Sequence, residues 1–178
     1  MTDTGALSPG TIVDLSGVGS ITWGDPNNAK VSDSSYATAT TAKGQYTHYL
    51  KATNFNFSVP TGATINGIQV ELQAKVAAGP RDIYAYIVKA DTIKTTYVPT
   101  YSTTTTEAYI SNATPTTNLW SQTWEPADIN DSTFGVCFNH GPYTASSINH
   151  IRITVYYTGG EGPPAFVLHS LSMTGCGI

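Results

Sequence analysis

The chain has 178 residues, a net charge of -4 and a charged fraction of 11%, against about 25% in ordinary soluble domains. Its Lys and Arg residues are scattered, which excludes a nucleic-acid partner, because phosphate contacts need clustered cations. The sequence also has no apolar run of the roughly 18 residues that a membrane-spanning helix needs, and its first residues do not resemble a signal peptide.

Residues 1–20 are predicted to form an extended N-terminal arm, because glycine and proline interrupt them repeatedly. Residues 23–28 follow as a turn rich in Asp, Pro and Asn. An alternating strand is expected over 36–40. A longer strand is expected over 49–59, with Phe55, Phe57 and Val59 on one face.

Two later segments alternate strictly between apolar and polar residues, at 68–76 and at 151–157. This period of two is typical of strands with one buried and one solvated face. Further strands are predicted over 82–89 and 133–139, weak edge strands over 91–118, and one helical turn over 125–130. The composition favours the same result, since Thr and Tyr suit strands.

These elements predict an all-β fold, an antiparallel β-sandwich of jelly-roll type with one short helical turn and extended terminal segments. The sandwich domain is expected over 21–158. Residues 159–178 follow as a Gly/Pro linker and an apolar tail. We expect this tail to dock on a protein surface through Phe166, Val167, Leu168 and Leu171.

The sequence contains no recognisable catalytic constellation. It has no G-x-S-x-G elbow, and its histidines do not have the spacing of a zinc site. His150 is therefore interpreted as a strand-face residue. A hydrolase would need two facing carboxylates in one cleft, and the sequence offers no sign of such a pair. We expect a protein that is not an enzyme.

Calcium is the metal that the sequence favours most, although helix capping and turn bonds explain the same residues more simply. The hard oxygen ligands would come from two clusters, Asp128, Asn130 and Asp131 in one and Asp25 with Asn27 in the other. No cofactor is expected. Whether Cys137 pairs with Cys176 is open, and the simpler interpretation makes Cys137 a small core residue.

Carbohydrate binding is the functional alternative that the residues themselves raise. Sugar faces stack on exposed aromatic rings, and Trp23, Trp120 and Trp124 are the candidates for such a platform. The competing interpretation, which we favour, packs Trp120 and Trp124 beneath the helical turn.

Several segments, in this order along the chain, resemble a β-sandwich family common in tailed bacteriophages. They are YLKATNF at 49–55, PTGATINGI at 60–68, LW at 119–120, WEPADIN at 124–130, FGV at 134–136 and IRITVYY at 151–157. The resemblance covers roughly residues 20–158 and includes capsid-decorating, head-fibre and tail-associated proteins. It brings no catalytic residues.

The resemblance implies a structural protein of the virion, most often a capsid decoration or head-fibre component. Its partners would be the major capsid protein or fibre and tail proteins, with self-association and glycans as further partners. Such a protein is made in the host cytoplasm without a signal peptide and then resides in the virion. The arm or the tail would join another chain, as a strand added to a sheet edge.

Overall fold

A computed structural model describes residues 1–142 and 144–160. Its strands are β1 (Thr2–Asp3), β2 (Thr11–Leu15), β3 (Ala37–Thr40), β4 (Tyr49–Thr53), β5 (Ala63–Val76), β6 (Arg81–Lys89), β7 (Thr92–Ile93), β8 (Thr100–Thr103), β9 (Ala108–Ser111), β10 (Gly135–His140) and β11 (Ala145–Gly159). A 3-10 helix spans Pro26–Lys30, and α1 spans Pro126–Asn130. In the described part of the chain, no helix has the length and apolarity to cross a membrane.

The strands form two antiparallel sheets that face each other across one core, so the predicted all-β sandwich is confirmed. The five-stranded sheet has the order β1-β11-β5-β9, with β3 also pairing with β11. The six-stranded sheet has the order β2-β4-β10-β6-β7, with β8 also pairing with β6. The strongest sequence signals, in β5 and β11, form one long antiparallel pair.

The core lies between the sheets and follows the alternation of the strands. Ile68, Val70 and Leu72 of β5 are fully buried, as are Ile151 and Ile153 of β11. Each aliphatic side chain removed from water contributes about 1.5–3 kcal/mol of gross burial energy. The alternating pattern therefore predicted both the elements and the face that they bury.

The strand predicted over 49–59 is wrong beyond Thr53. Asn54 and Asn56 adopt left-handed conformations, with φ of 60° and 57°, which interrupt an extended strand. Phe55 and Phe57 are still buried, as their pattern predicted. Asn tolerates this region of backbone space better than most residues, so the chain bends twice and keeps both rings in the core.

The predicted N-terminal arm is part of the sandwich, so the boundary at residue 20 is corrected. β1 pairs with the end of β11, and Leu7 forms a bridge with Ile153. β2 is an edge strand of the six-stranded sheet, paired with β4. The glycines and prolines of this stretch mark turns between short pairings. They do not keep the stretch away from the sheets.

The predicted helical turn over 125–130 and the predicted edge strands over 91–118 are both confirmed. The Asp128 carboxylate accepts a hydrogen bond from the Glu125 backbone N–H at 2.8 Å and so caps α1. Asn130 bonds both the N–H and the carbonyl of Val59, at 2.8 and 2.9 Å. β7, β8 and β9 occupy the stretch 91–118, and each pairs with the longer β5 or β6.

Candidate functional site

The three tryptophans proposed as a sugar platform lie inside the protein. Trp23, Trp120 and Trp124 are 3%, 0% and 8% exposed. Each indole N–H donates to a backbone carbonyl, those of His48, Ile68 and Leu119 respectively, at 2.9–3.0 Å. Burial of a large ring with a satisfied N–H is a strong packing contribution, so these rings anchor loops and their faces are not offered to a ligand.

Trp120 and Trp124 are buried and pack against other aromatic rings, those of Tyr97 and Phe134. Trp124 makes an edge-to-face contact with Phe134 at 5.3 Å between ring centres, and Trp120 makes one with Tyr97 at 5.9 Å. A surface that stacks on a sugar must therefore use other aromatic residues. The predicted docking residues Phe166, Val167, Leu168 and Leu171, like Cys176, lie outside the described residues.

Four tyrosines lie together on the outer face of the six-stranded sheet. We call them the tyrosine face: Tyr46, Tyr49, Tyr84 and Tyr86. Tyr84 and Tyr86 alternate along β6 with buried Ile83, Ala85 and Ile87, so their rings point away from the core. Tyr49 begins β4, and its ring meets that of Tyr86 edge to face at 5.2 Å.

The loop residue Tyr46 joins this face beside Tyr84. A Cβ atom added to Gly141 would lie 3.4 Å from the Tyr46 ring and 3.9 Å from the Tyr84 ring, so both rings approach this glycine. Tyr46 is 41% exposed, and the other three rings are partly covered. The sequence analysis did not single out these tyrosines, although the alternation of Tyr84 and Tyr86 with buried residues was the signal that placed them outside.

The charged groups beside the tyrosine face largely neutralise each other. Lys51 of β4 lies next to Cys137 in the register and is ion-paired with Asp91. Asp82 is exposed, two residues before Tyr84 on the same strand. The strands of the face therefore carry one neutral ion pair and one carboxylate at their end, and the loop that holds Tyr46 also contains the exposed Lys43.

Cys137 lies beneath this surface, opposite both Lys51 and Tyr86 in the register. Its side chain is fully buried, as expected of a small packing residue. Burial raises the pKa of the thiol to about 12, so the thiol stays protonated and is not a nucleophile. Burial also raises the pKa values of Tyr49 and Tyr86, which keeps their hydroxyl groups neutral as hydrogen-bond donors.

Asn139 is the buried polar residue of the tyrosine face. It pairs with Tyr84 in the register and alternates with the core residues Val136 and Phe138. It is 3% exposed, and its side-chain carbonyl oxygen has no hydrogen-bond partner within residues 1–142 and 144–160. A buried carbonyl without a donor is uncommon in folded proteins, so this oxygen marks a position where a donor is missing.

The outer face of the five-stranded sheet is polar, and its side chains bond one another. The Arg152 guanidinium donates twice to Glu71, at 2.7 and 3.0 Å, and lies 3.9 Å from the centre of the Tyr109 ring. His150 is on this strand face, as predicted, and its ring nitrogens bond the hydroxyls of Tyr109 and Ser8 at 2.7 and 2.8 Å. These contacts tie the N-terminal stretch to the sheet.

The oxygens considered for calcium have other roles. Asp128 also forms an ion pair with Lys89 at 2.9 Å, and Asp131 accepts hydrogen bonds from the backbone and hydroxyl of Thr133. Asp25 sits in a left-handed conformation at the start of the 3-10 helix. Within the described ranges, no three His, Cys, Asp or Glu residues are grouped as a metal site. Capping and turn bonds therefore account for the first cluster.

Comparisons with known proteins identify no family. Neither a protein-family model nor a curated protein matches the chain. One similar solved structure is the apo form of BiXyn10A CBM1, a carbohydrate-binding module, with 8% sequence identity and a TM-score of 0.42, covering 83% of this chain and 98% of that one. A likeness of this strength carries no functional argument.

Proposed function

We propose that this protein binds carbohydrate through the tyrosine face and performs no catalysis on it. The observation that supports this is the grouping of four partly exposed tyrosines on one sheet face, around a polar side chain. Aromatic rings stack on the apolar face of a sugar, while phenol and amide groups bond its hydroxyls. Three of the four rings are held by strands, so these three lose little conformational entropy when a ligand binds.

A glycan array followed by isothermal titration of the best ligand tests this function. Replacement of Tyr84 or Tyr86 by Ala is expected to weaken binding about tenfold or more, as for a central aromatic contact. The matched control is Tyr109→Ala, which removes an exposed tyrosine from the outer face of the opposite sheet and is expected to leave affinity unchanged. An array with no hits, or equal losses at Tyr86 and Tyr109, would contradict the proposal.

We also propose that this protein is a structural component of a tailed-phage virion and that the glycans it binds are on the host surface. The support is the resemblance over residues 20–158 and the apolar tail that follows the Gly/Pro linker. The partners would be capsid, fibre or tail proteins, and the protein would reside in the virion after synthesis in the host cytoplasm.

Deletion of residues 160–178 tests the virion role. The truncated protein is expected to fold as the sandwich and to fail to join particles when supplied during infection. Purified particles probed with an antibody to the sandwich give the readout, and full-length protein is the control. Normal incorporation of the truncated protein would contradict attachment through the tail.

A further inference from the structure

We infer that the ligand of the tyrosine face is an uncharged glycan, and that Asn139 selects it by accepting a hydrogen bond from a sugar hydroxyl. This inference rests on the proposed function and adds to it a ligand class and a residue that sets specificity. It is carried by two separate observations, the charge of the face and the unpaired oxygen beneath the rings.

The charge around the rings disfavours acidic sugars. Lys51 is the cation closest to the rings in the register, and Asp91 already neutralises it. Asp82 adds an exposed carboxylate at the end of β6, and the whole chain carries a net charge of -4. At the outward-facing strand positions beside the tyrosines, a carboxylated or sulfated glycan would meet the Asp82 carboxylate and no cation other than the paired Lys51, whereas a neutral glycan meets no repulsion there. The exposed Lys43 lies outside these strands, in the loop before Tyr46.

The position of Asn139 suits a specificity residue. It lies opposite Tyr84, and the next position of the adjoining strand β4 is Tyr49, so tyrosines lie on both sides of it across the sheet. Its carbonyl oxygen can only accept a hydrogen bond, and residues 1–142 and 144–160 offer it no donor. A hydroxyl group held between the rings would supply the missing donor.

Access to this oxygen requires a movement of the side chains around it, because the oxygen is buried. Tyr46 is the most exposed ring of the face and belongs to a loop, whereas the other three rings belong to strands. Its displacement is therefore the smallest change that opens the surface near Gly141, two residues beyond Asn139 in the chain. Binding should then change the environment of Tyr46, which a ring-labelled NMR spectrum detects.

The test compares neutral polysaccharides (soluble xylan, glucomannan and β-glucan) with the anionic polygalacturonate and hyaluronate, by affinity electrophoresis and titration calorimetry. Wild-type protein is expected to bind a member of the neutral set and neither anionic one. Asn139→Leu keeps the number and branching of the side-chain heavy atoms and removes the acceptor, so its affinity should fall about tenfold. Asn139→Asp keeps an acceptor and should bind more tightly than the Leu variant.

The outcomes separate the two levels of the proposal. Wild-type affinity in Asn139→Leu, with loss of binding in Tyr86→Ala, would overturn the role of Asn139 and leave carbohydrate binding in place. Preference for polygalacturonate or hyaluronate would overturn the neutral class. Absence of binding to the whole panel and to a glycan array would overturn the proposed function itself. Thermal melting of each variant checks that it is folded.

Discussion

His140 shows how a single buried residue makes the stability of this fold depend on pH. The side chain is fully buried, and neither ring nitrogen has a hydrogen-bond partner in the described part of the chain. Burial, together with the positive charge of Arg81, lowers the pKa of His140 from 6.5 to about 4. The folded protein therefore keeps this imidazole neutral where the unfolded chain would protonate it.

The sign of the effect follows from proton linkage. Between pH 6.5 and about 4 the unfolded state binds more protons at His140, so stability falls as the pH falls through this window. Between pH 7 and pH 5 the loss is on the order of 2 kcal/mol. Urea unfolding at both pH values measures it.

His140→Leu provides the matched comparison. This variant should lose that part of the pH dependence and be no less stable than wild type at pH 7, since it removes a buried imidazole without partners. The same decrease in stability between pH 7 and pH 5 in both proteins would show that other groups cause it.

At the scale of elements, the close pairing of β4 with β10 depends on a residue without a side chain. Gly135 begins β10 and lies between Thr53 of β4 and Val88 of β6. A Cβ atom there would lie 1.9 Å from the carbonyl oxygen of Ala52, a distance that backbone atoms cannot accept. The absence of a side chain allows three strands to meet, and these strands carry most of the tyrosine face.

Gly135→Ala is expected to lower the free energy of unfolding by about 3 kcal/mol, because the strands must separate to accept the methyl group. Gly24→Ala is the control, since its Cβ would lie in ordinary contact, 3.4 Å from the Thr38 hydroxyl. Chemical denaturation of both variants measures the difference. Equal, small losses would contradict the close approach at Gly135.

At the scale of the whole molecule, the first residues stabilise the sandwich. The Leu7 N–H donates to the Ile153 carbonyl at 2.9 Å, the Ile153 N–H donates back at 3.0 Å, and the Leu7 side chain packs against the core. Ser8 adds a bond to His150 on the outer face. This stretch joins sequence-distant parts of one domain.

Removal of residues 1–8 is therefore expected to reduce stability by about 2 to 3 kcal/mol, which corresponds to one buried leucine and its neighbouring bonds. The shortened protein should keep its sheets, visible in the far-ultraviolet circular dichroism spectrum, and should unfold at a lower urea concentration. If stability were unchanged while attachment to particles was lost, the stretch would be an attachment arm after all.

Much of the architecture could be predicted from periodicity alone. Alternation along β5 and β11 specified two strands and their buried faces, because a period of two places every second side chain on the same side of a sheet. Pro126 and Asp128 indicated the helical turn by their known preferences for a first turn. Burial of Phe55 and Phe57 also followed from their spacing.

The candidate site could not be predicted in the same way. The large aromatic rings of the three tryptophans made them the natural candidates for stacking on a sugar. The free energy gained by burying such rings instead places all three indoles in the core. Tyr46, Tyr49, Tyr84 and Tyr86 come from a loop and two strands that are separated in the chain and brought together by β10. Which side of a strand meets solvent is a local property, whereas which strands lie side by side depends on long-range pairing, and only the tertiary structure decided it.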